Sequence, residues 1–253
     1  MKRIFYNTLA ACLLFVSAAK ANAQQMLGTT GGFNIPTAEM QPSGTFIGGI
    51  NYIGNGMILG EENNKSDECW NFDYNTGLFY LDFTPFSWLE VSFRETMLRS
   101  KVSKYGEVFD DYKYKRTDRS ISFRVRPLEE GQYWPAVVIG TNDPWQDTGH
   151  GVYCSVYAVA SKHIHFKSIA SEFMVTLGYA KAIKDARNYD GLMAGLKYVP
   201  DFYKDGALLV EYDSQGVNVG VQARLFKHLG LFAFTREFSV FNCGIRYEYT
   251  IKY

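Results

Sequence analysis

Asp143, Asp147, His150 and Ser155 place two carboxylates, an imidazole and a hydroxyl in one short stretch of this chain. Acyl transfer needs those types: a nucleophile, a base to take its proton and an acid to orient the base, all within hydrogen-bond reach. His150 and Ser155 are too close in sequence for strand parity to say whether they face one another. The competing reading is a hydrated loop turned by Gly149 and Gly151, with Trp145 at an interface. That reading is preferred, and no catalytic residue is assigned.

The other reactive types are as sparse. His163 and His165 form a His-x-His pair, and His228 stands apart; two ligands make no metal site, so solvated turn histidines are expected. Cys69, Cys154 and Cys243 have no regular spacing, so they form no disulfide framework and at most one pair. No metal or cofactor is expected. The stretch from Lys101 to Asp118 mixes Lys101, Lys104, Lys113, Lys115 and Arg116 with Glu107, Asp110, Asp111, Tyr105, Tyr112 and Tyr114. Mixed charge with tyrosine suits contact with sugars or lipopolysaccharide phosphates, and suits plain solvation equally.

The elements that hold these residues are easier to read. From Phe241 to Tyr253 every odd position is apolar or aromatic, and every even one is polar or glycine. A strand with that period has one apolar and one wet face. Leu89/Val91/Phe93 alternate with Glu90/Ser92/Arg94, Ile121/Phe123/Val125 with Ser122/Arg124/Arg126, and Val217/Val219/Val221 with Asn218/Gly220/Gln222, which Arg224 continues. An arginine on a lipid face costs about 2–4 kcal/mol at the bilayer midplane. Arg94, Arg124, Arg126, Arg224 and Arg246 are therefore expected in a lumen, with Glu90 and Glu248 offsetting their charge. Phe79-Tyr80-Leu81 and Trp134 to Ile139 are apolar on both faces and fit a packed interior or a soluble core.

Turn residues divide the chain into twelve candidate strands: 44–53, 72–83, 88–97, 119–126, 135–142, 151–161, 169–180, 191–199, 206–213, 217–225, 229–237 and 241–253. Their lengths approach the roughly 9–11 residues that a tilted strand needs to cross a bilayer. Charged and polar residues interrupt every later apolar run, so the chain can span a membrane only as a closed barrel. We expect an all-β fold, an antiparallel transmembrane β-barrel of about twelve strands. An even count puts both barrel ends on the periplasmic side. The periplasmic links are then Thr84 to Ser87, Arg126 to Trp134, Lys162 to Lys167 and Phe226 to His228, and the long outer links are Gly54 to Asn71 and Leu98 to Asp118.

Lys2 and Arg3, the apolar run Leu9 to Ala19 and Ala21-Asn22-Ala23 read as a signal peptide over 1–23, with Gln24 as the mature start. A lipoprotein signal at Leu9-Ala10-Ala11-Cys12 is the weaker alternative, because the apolar run continues past Cys12. Residues 24–43 read as a turn-rich lead-in and 44–253 as the barrel. The chain has 26 basic and 26 acidic residues; losing Lys2, Arg3 and Lys20 leaves 23 − 26 = −3, with no basic surplus for nucleic acid. Aromatics at 16% suit interfacial girdles.

Gly28-Thr29-Thr30-Gly31-Gly32-Phe33-Asn34-Ile35-Pro36-Thr37-Ala38-Glu39-Met40, followed by Gly44, resembles the opening of the YjbH-like family of outer-membrane barrels. Arg119 to Arg126, Trp134 to Asp143, Tyr157 to His163, Glu211-Tyr212-Asp213 and Asn218-Val219-Gly220 extend the resemblance over nearly the whole mature chain. The resemblance implies exopolysaccharide or capsule production in a Gram-negative outer membrane, in a compact version similar to those of Bacteroidetes-type bacteria, and no catalytic set. Its family motif falls on Gly31, Gly32, Pro36, Thr37, Ala38 and Gly44. For Pro36-Thr37-Ala38 two readings compete, a lumen plug or gate and a turn capping the first strand; the cap is preferred. Tyr247, Tyr249, Ile251 and Tyr253 resemble the terminal signal read by the barrel-assembly machinery. Expected partners are outer-membrane lipids and lipopolysaccharide, that machinery, and polysaccharide or export proteins. The alternatives are a lipid-modifying barrel enzyme (lipase or deacylase) and a small porin or adhesin; fold alone licenses no activity.

Overall fold

The computed structural model describes residues 23–58, 75–99, 103–104, 107–108, 114–144, 152–165, 172–183, 186 and 188–251. Its strands are β1 (Thr45–Ile53), β2 (Thr76–Phe86), β3 (Leu89–Arg99), β4 (Ser103–Lys104), β5 (Glu107–Val108), β6 (Tyr114–Leu128), β7 (Ala136–Asn142), β8 (Ser155–His165), β9 (Glu172–Ala182), β10 (Gly191–Val199), β11 (Gly206–Tyr212), β12 (Val217–Leu225), β13 (Leu229–Arg236) and β14 (Val240–Thr250). Twelve of them pair antiparallel into a closed barrel, with β14 returning to β1; β4 and β5 form a separate two-stranded sheet. The closing seam runs from Thr45↔Thr250 through Ile50↔Ile245 to Tyr52↔Cys243. We call the end where β1 starts and β14 finishes the near end, and the other the far end.

The period-2 pattern sets the two faces. Phe46, Ile50, Phe79, Leu81, Phe93, Ile121, Val125, Leu177, Leu192, Val221, Ile245 and Tyr247 point outward and are exposed. Glu90, Arg94, Asp118, Arg124, Glu211, Asn218, Arg246 and Glu248 point inward and are buried. An apolar exterior over a polar interior is the inverse of a soluble protein and is the arrangement of a transmembrane barrel. Aromatics crowd the near-end turns, with Phe86 stacked on Trp88 at 5.4 Å and with Tyr133, Trp134, Phe202 and Phe226 exposed.

The twelve segments read from sequence become the twelve wall strands, with ends displaced where proline was taken for a boundary. Pro85 lies inside β2 and Pro127 inside β6. Each falls where the register shifts, between Phe83 and Phe86 and between Val125 and Leu128. Proline cannot donate to the ladder, and a bulge lets the strand continue past it. Two further expectations are corrected. His163 and His165 lie in β8, not in a turn, because β8 pairs with β9 as far as His165↔Glu172. The Leu98 to Asp118 link is not one loop: β3 and β6 extend into it, and β4 and β5 lie within it.

A twelve-stranded wall encloses more space than its own side chains fill, since about eight strands already reach that limit. Residues 23–41 fill the remainder. Met26, Leu27, Phe33, Ile35 and Ala38 belong to the hydrophobic core, together with Leu78, Tyr80, Leu209, Phe232 and Phe234 of the wall. The core of this protein therefore lies between the barrel and its own N-terminal segment. Pro36-Thr37-Ala38 does not cap β1. The preferred reading from sequence is wrong there, because these residues are buried inside the lumen and bonded to β6 and β8.

Candidate functional site

The plugged lumen is the candidate site, and it is built from the plug outward. The segment folds back on itself through the bridges Gln24↔Thr30 and Gly31↔Pro36, and through Met26 N donating to Phe33 O at 2.6 Å. Gly28 sits at φ +96°, where a side chain would be strained, and its missing Cβ leaves room for the Tyr80 ring.

At the far-side turn the backbone N–H groups of Phe33 and Asn34 both donate to the Glu211 carboxylate, at 2.9 and 2.5 Å. Consecutive amides converging on one anion form a nest. Gly32 makes that approach possible, since a Cβ there would collide with Glu211 Oε2. Asn34 Nδ2 donates to Asp213 at 2.6 Å, and Tyr189 OH donates to Asn34 O at 2.6 Å. Asp213 also accepts from Arg236 and from Asn218 Nδ2. On the apolar side Phe33 stacks on Phe234 at 4.8 Å, and Ile35 packs over Gly195.

The opposite wall holds the plug by its carbonyls. Arg124 donates to Thr30 O, to Thr37 O at 2.7 Å and to Glu39 O at 2.5 Å, and pairs with Glu90 at 3.5 Å. Glu90 in turn accepts from Thr30 N at 2.5 Å. Ser161 Oγ accepts from Ala38 N at 2.8 Å, and Asn51 Nδ2 donates to Met26 O at 2.6 Å. Buried charge is tolerated only when paired and hydrogen-bonded, and the plug backbone supplies much of that pairing.

A charged cluster closes the near mouth. Lys197 Nζ lies 3.0 Å from Glu39, and His163 lies 3.5 Å from Glu39, 2.5 Å from Glu130 and 3.4 Å from Glu172. Burial pushes the Glu39 carboxyl up, but Lys197 and then His163 outweigh it and leave it at about 2. Burial likewise opposes ionisation of Glu130 in its turn, yet hydrogen bonds from His163 and Lys162 hold it below the usual range. A cavity of about 160 Å³ sits here, lined in part by Glu39, Arg126, Glu130 and His163.

The remaining residues marked from sequence are dispersed. Arg126 pairs with Glu129 at 2.7 Å on the near rim. Arg224 bridges Asp205 and Glu248 at 2.6 and 3.1 Å, and Arg246 lies 3.8 Å from Glu248. Arg94 is fully buried toward the far end, 4.6 Å over the Tyr153 ring and 3.8 Å from Asp118. Gly44 opens β1 at φ +80°, giving its N–H to Thr84 and its carbonyl to Ile251. Tyr247, Tyr249 and Ile251 face outward; Tyr253 lies outside the described residues.

Of the acyl-transfer candidates, Asp147 and His150 lie outside the described residues. Ser155 faces the lumen, donates to Tyr153 O at 3.0 Å and accepts from Asn142 Nδ2 at 3.2 Å. Asp143 stands just beyond β7, its carboxyl pushed up to about 6 by burial and by Asp118, against Arg94. Cys154 Sγ donates to Asp143 O at 3.0 Å, and neither Cys154 nor Cys243 is in a disulfide among the described residues; Cys69 lies outside them.

Sequence reading missed Lys197 and Arg236 as site residues, and had Glu39, Glu211 and Asp213 only through resemblance. Strand parity was the available signal for Lys197 and Glu211. Glu39, on the irregular segment, had none.

The fold and site together define a transmembrane β-barrel whose own N-terminal segment occupies its lumen. A family model described as exopolysaccharide biosynthesis protein YbjH matches residues 69–252, and the chain belongs to this YjbH family. The match begins after the plug. No curated protein matches the chain. Among solved structures, an outer membrane channel from Pseudomonas putida F1 is similar at 12% identity, covering 87% of this chain and 100% of that one, with a TM-score of 0.43. The outer membrane phospholipase of Salmonella typhi, a dimer with bound calcium, is similar at 11% identity over 83% and 91%, with a TM-score of 0.36.

Proposed function

We propose that this chain is a non-enzymatic barrel of the bacterial outer membrane, exported with its signal cleaved before Gln24, and that it serves exopolysaccharide export or envelope maintenance. Near is then the periplasmic end, and the plug is a gate. Family membership supports the polysaccharide role, and the plug carries the rest: Arg124 and Glu211 hold residues 24–41 across the lumen, which disfavours a passive porin. Opening would expose a lumen lined by charges of both signs, suited to a hydrated polymer. The inward, hydrogen-bonded Ser155 disfavours a lipid-modifying enzyme, whose substrate lies outside the wall.

The test is deletion in the host, complementation with the wild-type chain, and quantitation of surface polymer and lipid. The proposal expects polymer to fall on deletion and return on complementation, with the lipid profile unchanged. Unchanged polymer would sink the polysaccharide role. A specific acyl product that disappears in a Ser155→Ala strain would replace it with the enzyme reading.

A further inference from the structure

His163 stands where β8 reaches the near mouth, and carboxylates meet its ring on both sides. Glu130, in the turn between β6 and β7, accepts from the His163 backbone N at 2.9 Å and from ring Nδ1 at 2.5 Å. One carboxylate bonded to both backbone and ring fixes the imidazole. The other nitrogen, Nε2, then lies 3.5 Å from Glu39 Oε1 of the plug and 3.4 Å from Glu172 Oε1 of β9.

An ionised carboxylate only accepts hydrogen bonds, and a neutral imidazole has one N–H to give. With that N–H on Nδ1, the ring would turn its Nε2 lone pair on two anionic oxygens. With the N–H on Nε2, it would turn the lone pair on Glu130. Only the doubly protonated ring suits both sides. The neighbouring cations are engaged elsewhere. Lys162 of β8 lies 2.9 Å from Glu130, Lys197 of β10 lies 3.0 Å from Glu39, and Arg126 of β6 lies 2.7 Å from Glu129. Lysine, arginine and carboxylate groups ordinarily titrate outside the neutral range, and imidazole within it, between about pH 5 and 8. Of the three carboxylates around the ring, Glu130 and Glu172 belong to the wall, and Glu39 alone moves with the plug.

We propose that His163 is a proton-operated catch. Charged, it ties Glu39 of the plug to the wall; on losing its proton it repels Glu39, and the plug opens more often. Lys197 still holds Glu39, so closure is weakened and not abolished. The inference rests on the plug being a gate and is independent of the polysaccharide role. Because the closed state binds the charged ring, the contribution of His163 is complete below the ordinary imidazole value of about 6.5 and is lost as pH rises above it. One proton limits the response to about tenfold per pH unit.

Conductance of single full-length barrels from about pH 6 to about pH 9 spans that change and tests the catch. Wild-type opening should rise with pH, by up to about tenfold per unit. His163→Arg, which keeps its charge, should stay closed across the range. His163→Gln should show no rise and should open more than wild type at the acid end. Glu130→Gln keeps the imidazole and gives Nδ1 a neutral acceptor; it should move the rise to lower pH, and it serves if the His163 variants fail to fold. A wild-type barrel indifferent to pH here, while Glu39→Gln opens, would overturn the catch and leave the gate standing. A rise of wild-type size in His163→Gln would overturn the catch by placing the response on another group. Barrels that open in none of these variants would overturn gate and catch together.

Discussion

Replacing Glu39 by Gln should release the plug at its near end. The Glu39 and Lys197 side chains are 8% and 9% exposed and 3.0 Å apart, so the pair is buried and directly bonded. Removing one partner of such a pair costs about 3–5 kcal/mol, because the other charge is left buried and alone. The depressed carboxyl, which reflects the same contact together with His163, points the same way. It lies at about 2 in the closed barrel against an ordinary 4.5. At 1.36 kcal/mol per pH unit, that difference is about 3 kcal/mol favouring closure. A difference of about 3 kcal/mol is roughly a hundredfold in the ratio of open to closed plugs.

Single-barrel conductance in planar bilayers reads this ratio directly. Glu39→Gln should open about a hundred times more often than wild type at neutral pH. Because the carboxyl is depressed in the closed state, its contribution is complete above about 4.5 and is lost as pH falls through about 2. Wild-type opening should rise across that window through Glu39, and the variant should lack that component. Replacing both partners by apolar groups, Glu39→Leu with Lys197→Met, should restore much of the closure, since a buried pair exchanged for packing is often neutral. A Glu39→Gln barrel that stays as closed as wild type would refute the latch. A double variant as open as the single one would show that the carboxylate acts otherwise than through Lys197.

Gly32→Ala should loosen the far-side turn by about 1–3 kcal/mol, because its Cβ displaces the Glu211 carboxylate from the Phe33 and Asn34 amides; limited proteolysis of the plug would report it. Ile245→Arg should impair membrane assembly far more than Arg246→Ala, since Ile245 faces outward and a lipid-facing arginine costs about 2–4 kcal/mol; equal yields of heat-modifiable barrel would contradict the facing.

The barrel was legible because lipid outside and polar lumen inside impose a strict period of two. Glu90, Arg94 and Arg124 alternate with Val91, Phe93 and Val125, as a wall between lipid and a polar lumen requires. The plug was not legible, because its structure comes from partners far away in sequence. Phe33 and Asn34 fold against Glu211, and Thr37 against Arg124, so nothing local distinguishes lumen from cap. One clue was present and ambiguous. Phe79-Tyr80-Leu81 is apolar on both faces, which a wall between lipid and water does not need. Tyr80 is apolar toward the lumen because the plug packs on it at Gly28 and Gly49 leaves it room.

The same dependence says how the plug would work as the proposed gate and not as a loose tail. The wall residues that hold it are charged, and they are paired partly through its backbone: Arg124 through three plug carbonyls, Glu211 through two plug amides. Withdrawing the plug into an apolar void would strand those charges, at several kcal/mol each. Withdrawing it into water would not, because water would take over the same hydrogen bonds. The lumen can therefore be dry and filled or wet and open, and the intermediate of an empty dry barrel is the expensive one. Interfaces that have only two cheap arrangements switch between them instead of deforming continuously. The near-mouth cluster of Glu39, Lys197 and His163 stands where the plug leaves the lumen toward β1, so a modest local change there biases the whole segment.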